Sequence, residues 1–218
     1  TVLHKWRRSI LPHIGNDIVD LREPANTGKS RDSRFLKKIL TAAEVDFVQN
    51  AENPDKALWS LWACKETAYK VIKKKCADAA FLPRRWMVIL KKFESACLEG
   101  EVKIPDAEAV YVRLFSHFRY VHCVGADHPA DLDRLVCKVE VLLEKENKKR
   151  IDPSLFARKC LARSIADFFR LNLSDIKINR VQDKSELQPP HVYIGGKKSD
   201  IDISLSHDGH LVAYAFLS

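Results

Sequence analysis

No apolar run in this chain approaches the roughly 20 residues that a bilayer-spanning helix requires, so no membrane passage is predicted. The six cysteines (Cys64, Cys76, Cys97, Cys123, Cys137 and Cys160) include no pair at the two-residue gap of a zinc ribbon or a dithiol redox centre. They read as reduced, mostly buried thiols. The seven glycines are scattered, and Gly28-Lys29-Ser30 lacks the upstream glycine of a phosphate loop, which excludes that nucleotide-binding class. A nucleophile elbow, a helix with two metal-binding histidines and an aromatic-basic RNA-binding signature are also missing. Thr1 to Arg8 has no apolar stretch of the kind a secretion signal carries, and with reduced thiols this predicts a cytoplasmic protein.

With 218 residues and 46% hydrophobic composition, the chain can bury a core without disulfides, as one large domain or as two small lobes. A net charge of +8 favours an anionic partner: nucleic acid, a membrane surface, a phosphorylated small molecule or an acidic protein. Charge alone does not choose among them. The runs Lys73-Lys74-Lys75 and Lys148-Lys149-Arg150 have the ordinary reading of solvated basic faces.

Residues 13–21 alternate well enough for a strand, with Asp17 and Val19 on one face and Ile18 and Asp20 on the other. Arg34 to Leu40 reads as a helix. Thr41 and Glu44 form a capping-box pattern that starts another short helix, and Pro54 opens a long one reaching about Lys75. In the long helix Ala57, Leu61, Cys64, Ala68 and Val71 make the buried seam, with Trp62, Glu66 and Lys70 on an adjacent face. Strands are predicted near 86–93, 109–115 and 119–126, with Glu99-Gly100-Glu101 as a turn. A connector at 127–150, with Pro129, a short alternating run and a charged stretch that suit some structure of its own, precedes a second unit at 151–218, in which a helix from Asp152-Pro153 leads into strands near 176–181, 192–194, 201–205 and 211–217. Ser116-His117 and Ser206-His207 close similar hairpin patterns. The expectation is therefore an α+β fold of two similar lobes, 1–126 and 151–218, each a long helix on a small antiparallel sheet, related by a pseudo-two-fold.

Three segments carry the chemistry: His13-Ile14-Gly15-Asn16-Asp17-Ile18-Val19-Asp20-Leu21, Leu61-Trp62-Ala63-Cys64-Lys65-Glu66-Thr67-Ala68-Tyr69-Lys70, and Asp202-Ile203-Ser204-Leu205-Ser206-His207-Asp208. Asp17 and Glu66 could meet where the helix crosses the strand, giving the oxygen-rich corner that magnesium prefers. Lys65 and Lys70 could neutralise phosphate oxygens. Each has an ordinary reading alone: a turn-forming aspartate, an i,i+4 surface ion pair, solvated lysines. His207 stays open between a phosphate donor and a plain hairpin histidine.

In content and order these segments resemble the 4'-phosphopantetheinyl transferase superfamily, namely its Gly-x-Asp-Ile-x strand and its Trp-x-x-Lys-Glu-x-x-x-Lys helix. Arg34 to Glu44 is similar to the intervening segment of holo-acyl-carrier-protein synthases. Phe156 to Ser218 is similar to the amino-terminal half of the larger surfactin-type enzymes, so the halves stand in exchanged order. The resemblance implies transfer of the phosphopantetheine arm of coenzyme A to a serine of an acyl or peptidyl carrier protein, at one site between the lobes of a monomer. Asp17 and Glu66 would bind Mg2+, with Glu66 also helping to remove the serine proton. Lys70 would steady the transferring phosphate, and Lys65, Ser206 and His207 would hold coenzyme A, with Arg158 and Arg163 at its adenosine 3'-phosphate. Arg34, Lys37 and Lys38 would steer the acidic carrier protein. Two departures from the pattern stand out. Val19 replaces a second acidic residue, so water is expected in that metal position, and Gln188-Pro189-Pro190 stands near a missing Gly-Lys-Pro. The competing reading is a non-catalytic basic module for an acidic protein or nucleic acid, against which the retained carboxylates speak.

Overall fold

The alternating segment at 13–21 becomes strand β1 (Ile14–Asp20), buried along its whole length. Both faces are covered. The odd-numbered face lies under helix α3 (Pro54–Lys75) so closely that a Cβ on Gly15 would stand 2.2 Å from the Thr67 carbonyl oxygen, which only glycine permits. The even-numbered face packs Ile14 and Ile18 against the strand at Leu211–Leu217. The computed structural model describes residues 12–94, 97–105, 107–142, 151–180, 182–183 and 186–217. The amino-terminal stretch Thr1 to Arg8 and the run Lys148-Lys149-Arg150 lie outside the described residues.

Two short helices precede α3. Asp32 caps α1 (Ser33–Ile39) by accepting from the Arg34 and Phe35 N–H groups. Thr41 and Glu44 form the expected capping box of α2 (Ala42–Gln49). Asn53 caps α3, with Pro54 at its first turn. The predicted seam holds at Leu61, Cys64, Ala68 and Val71, which lie against the sheet formed by β1 with β2 (Met87–Glu94), β3 (Cys97–Lys103), β4 (Val110–Ser116) and β5 (Tyr120–Ala126). That sheet is antiparallel in the order β1-β5-β4-β3-β2. Glu99-Gly100-Glu101 is not a turn but the middle of β3, where Gly100 pairs with Leu90 and Val112. A Cβ there would lie 1.8 Å from the Ile89 carbonyl oxygen, so this glycine serves strand approach rather than chain reversal.

The expected connector supplies β6 (Leu135–Val141). After it come α4 (Pro153–Phe169), β7 (Ile176–Asn179), β8 (Gln182–Asp183), β9 (Glu186–Leu187), β10 (His191–Ile194), β11 (Lys197–Lys198), β12 (Ile203–Asp208) and β13 (Leu211–Leu217). Strand β6 pairs along β13, in a sheet ordered β12-β13-β6 on which α4 packs through Leu161 and Ile165. Ser116 and Ser206 do not occupy matching positions. Ser116 follows Val112 and Leu114 on the face beneath α3, whereas Ser206 lies opposite to Ile203 and Leu205, the side chains of β12 that face α4.

The two sheets join through side chains. As an edge strand, β1 presents unpaired N–H and C=O groups away from β5. The N–H groups of Ile14, Asn16, Ile18 and Asp20 donate to Asp202 Oδ2 (2.7 Å), Ser204 Oγ (2.9 Å), Ser206 Oγ (3.4 Å) and Asp208 Oδ2 (2.8 Å), always 188 positions on. On the carbonyl side, Lys74 Nζ donates to Ile14 O (2.7 Å), Lys70 Nζ to Asn16 O (2.8 Å) and Asn26 Nδ2 to Asp20 O (3.0 Å). Lys74 also ion-pairs with Asp202 and donates to Ile203 O, so the middle of the run Lys73-Lys74-Lys75 is an interior clamp rather than a solvated face.

Lys65 likewise points inward, where it is fully buried. Its ammonium donates to Glu44 Oε2 (2.6 Å), Ile39 O (3.0 Å) and Pro83 O (2.8 Å). The expected role at a coenzyme A phosphate is not met, because all three donors are engaged inside the protein. Glu44 spends its other bonds on the Thr41 and Val88 N–H groups, so this pair ties α2, α3 and β2 together. Lys65→Met should lower stability by about 3–5 kcal/mol by stranding Glu44, with part of the loss restored when Glu44→Gln is added. An unchanged urea midpoint in Lys65→Met would remove this role.

His122, on β5 between the sheets, is buried, and its Nε2 has no hydrogen-bond partner among the described residues. Burial, aided by the charge of Lys70, pushes its pKa down to about 3. The unfolded chain takes up this proton near pH 6.5, so the stability contributed is full above that value and falls by about 1.4 kcal/mol per pH unit below it. Urea midpoints should therefore drop between pH 7 and pH 5, and drop less in His122→Gln. Equal drops in the two proteins would contradict the assignment.

Candidate active site

Helix α3 crosses β1 so that Lys70, one turn beyond Glu66, reaches Asp17. Lys70 Nζ lies 2.8 Å from Asp17 Oδ1, and the Ser206 hydroxyl donates to the same oxygen at 2.8 Å. Three distant stretches of sequence therefore converge on one carboxylate. Asp17 is buried, and its other oxygen receives no hydrogen bond among the described residues. Glu66 stands nearby with no side-chain donor among the described residues. Burial first, and then the like charge of Asp17, push the Glu66 pKa up to about 7, with Lys70 pulling it partly back. Two carboxylates are thus held close enough to repel one another, with Lys70 paired to Asp17 and its charge felt at Glu66.

That arrangement fits a divalent cation. The open oxygens of Asp17 and Glu66 are hard ligands of the kind magnesium takes, and a bound cation would relieve the repulsion that raises Glu66. Among the described residues there is no group of three or more His, Cys, Asp or Glu side chains that could hold a metal. The remaining coordination positions would fall to water and to substrate oxygens, as magnesium sites with one or two carboxylates have it. Val19 belongs to the core, and the Asp20 carboxylate is taken by the Arg22 and His210 N–H groups, so neither contributes a ligand.

Glu66 and Lys70 open onto a cavity of about 310 Å³, lined further by Lys73, Lys74, Arg180, Pro189, Pro190 and the edge of β12 at 203–205. Its wall is basic and suits a phosphorylated ligand. Arg180 was not anticipated from the sequence, since a single arginine in a variable strand region gives no pattern. The packing around it and the like charge of neighbouring Arg158 lower its pKa from the usual arginine value. Neither Arg158 nor Arg163 is among the lining residues, although the charge of Arg158 is felt at Arg180. His207 is not brought to this cavity either. The alternation of β12 that turns Ser206 toward Asp17 turns His207 away, into a separate cavity of about 390 Å³ shared with Glu23, Pro153, Gly209 and His210.

Arg34, Lys37 and Lys38 are exposed on α1. Lys38 rims an apolar cavity of about 680 Å³ walled by Phe35, Trp62, Phe81, Leu82 and Pro83, with Arg84 and Arg85 on its margin. Trp62 precedes Glu66 by one turn of α3, which places this basic, aromatic surface next to the carboxylates.

No helix among the described residues is long and apolar enough to cross a membrane. Comparison with curated proteins finds no match. A family model for the 4'-phosphopantetheinyl transferase superfamily matches residues 13–123, a stretch that runs from the strand bearing Asp17 through the helix bearing Glu66 and Lys70 and covers just over half of the chain. With its α+β architecture, its convergent Asp17, Glu66 and Lys70 and this match, the chain belongs to the 4'-phosphopantetheinyl transferase superfamily.

Proposed function

We propose that this protein transfers the 4'-phosphopantetheine arm of coenzyme A to a serine hydroxyl of an acyl or peptidyl carrier protein. The observation that carries the reading is the buried Asp17 bound by Lys70, with Glu66 held close enough to feel its charge, and Glu66 and Lys70 lining a basic cavity. A simple anion binder gains nothing from carboxylates in its basic wall. Phosphoryl transfer does, because most of its catalysis is positioning and charge neutralisation around the diphosphate.

In this reading the serine oxygen forms a bond to the phosphorus that carries the pantetheine arm. The bond from that phosphorus to the bridging oxygen breaks, and adenosine 3',5'-bisphosphate leaves. Asp17 and Glu66 would hold a magnesium ion, which would supply charge stabilisation at the diphosphate. Glu66 takes the serine proton directly or through a water. Lys70 steadies the transferring phosphate from its anchorage on Asp17 and the Asn16 carbonyl. Arg180, with Arg158 behind it, meets the phosphates of the adenosine end. The carrier protein docks on Arg34, Lys37 and Lys38, its acidic helix steered by their charge and an apolar side chain seated in the cavity beside Trp62. The chain acts as a monomer in which two helix-on-sheet units face each other and form one site between them.

Incubation with coenzyme A, magnesium and an apo carrier protein should add one phosphopantetheine to the carrier by intact mass, and EDTA should abolish the gain. Asp17→Ala and Glu66→Ala should each reduce the rate at least 100-fold while leaving the thermal transition in place, on the scale of losing a charged group at a reacting centre. Unchanged turnover in either variant would sink the metal assignment. Failure to bind coenzyme A at all would favour a non-catalytic basic module.

A further inference from the structure

We propose that Ser206 is a positioning residue for the metal ligand Asp17 rather than a contact for coenzyme A; this rests on the reading of Asp17 as a magnesium ligand. A serine hydroxyl has one proton to give. Here that proton goes to Asp17 Oδ1 at 2.8 Å, and the Ser206 side chain is buried with its acceptor side toward the Ile18 N–H. No donor is left for a phosphate.

The ladder between β1 and β12 shows the same preference. Its other three rungs measure 2.7, 2.9 and 2.8 Å, whereas the rung from Ile18 to Ser206 measures 3.4 Å. The hydroxyl has moved off the backbone toward the carboxylate. Its neighbours hold it there: Ser204 is fixed on Asn16 and Asp208 on Asp20, so β12 cannot slide along β1 without losing every rung at once.

Two donors on one oxygen define the other. With Lys70 and Ser206 both on Oδ1, the carboxylate plane is fixed and Oδ2 is the atom left to a cation. Lys70 alone would not achieve this, because its ammonium rides on a flexible four-carbon stem and is also claimed by the Asn16 carbonyl. Ser206 reaches from a strand through a single side-chain torsion. Residues that hold a metal ligand in this way commonly change metal affinity by about 10–100-fold when removed.

The test compares Mn2+ binding, read by paramagnetic resonance without substrate, with metal-free coenzyme A binding read by calorimetry. Ser206→Ala should weaken Mn2+ by about 10–100-fold and leave metal-free coenzyme A affinity unchanged. Ser206→Thr, which keeps the hydroxyl, should retain Mn2+. Ser204→Ala removes a rung without touching Asp17 and should leave Mn2+ affinity as it was. Equal losses of Mn2+ in Ser204→Ala and Ser206→Ala would reduce Ser206 to a structural rung. Loss of coenzyme A with Mn2+ unaffected would return it to the coenzyme site. A native chain that binds no Mn2+ would overturn the ligand role of Asp17 and this inference together, whereas Mn2+ binding without carrier modification would overturn the transfer reading alone.

Discussion

Everything near the site depends on how one strand edge is satisfied. A strand at the margin of a sheet carries unpaired backbone groups, and burying them without partners costs about 1–3 kcal/mol each. In most sheets another strand supplies the partners. Here β1 is buried on its open edge, and side chains of β12, α3 and the following loop do the work instead. Side chains carry charge and protons that a neighbouring backbone would not. The same groups that close the edge therefore also supply Lys70 and Ser206 to Asp17, so structural satisfaction and candidate chemistry share one set of atoms.

The lysines of α3 show how position on a single helix sorts one residue type into different tasks. Lys65 is a core residue, paired to Glu44 and two carbonyls. Lys74 is an interior clamp between the sheets, its pKa lowered by burial against the pull of Asp202. Lys70, between them in sequence, keeps part of its side chain accessible and faces the cavity. A buried ammonium persists only when fully partnered, as Lys65 and Lys74 are, whereas Lys70 has two acceptors and remains partly exposed. Only at Lys70 does a partner have a second oxygen left open.

Local signals in the sequence were legible because local physics set them. The Thr41 and Glu44 capping box, Pro54 at the first turn of α3 and the seam from Leu61 to Val71 each follow from contacts within a few residues. Asp17, Glu66 and Lys70 were recoverable as a group because their spacing matched a family pattern, and the strand-helix crossing brings them together. The misreadings came from long-range packing. Gly100 looked like a turn because nothing local says that Ile89 will approach its Cα so closely. The alternating run within 127–150 was visible, but its place in the second sheet was not, because its partner, β13, lies far along the chain. Lys65 looked available because the carbonyls that claim it come from Ile39 and Pro83. His207 and Ser206 looked like a unit because they are adjacent, and strand alternation separates them.

The ladder also bears on the order in which the protein can be made. Synthesis delivers β1, α3 and the first sheet long before Asp202 to Asp208 emerge, and until then the outward N–H groups of β1 lack their acceptors. A nascent chain in that interval exposes a half-satisfied strand edge, the kind of surface that invites mispairing or a chaperone. The contacts of Asp17 are complete only once the seven-residue stretch at 202–208 settles into register. An incompletely synthesised chain would hold Asp17, Glu66 and Lys70 yet lack the strand that fixes their geometry.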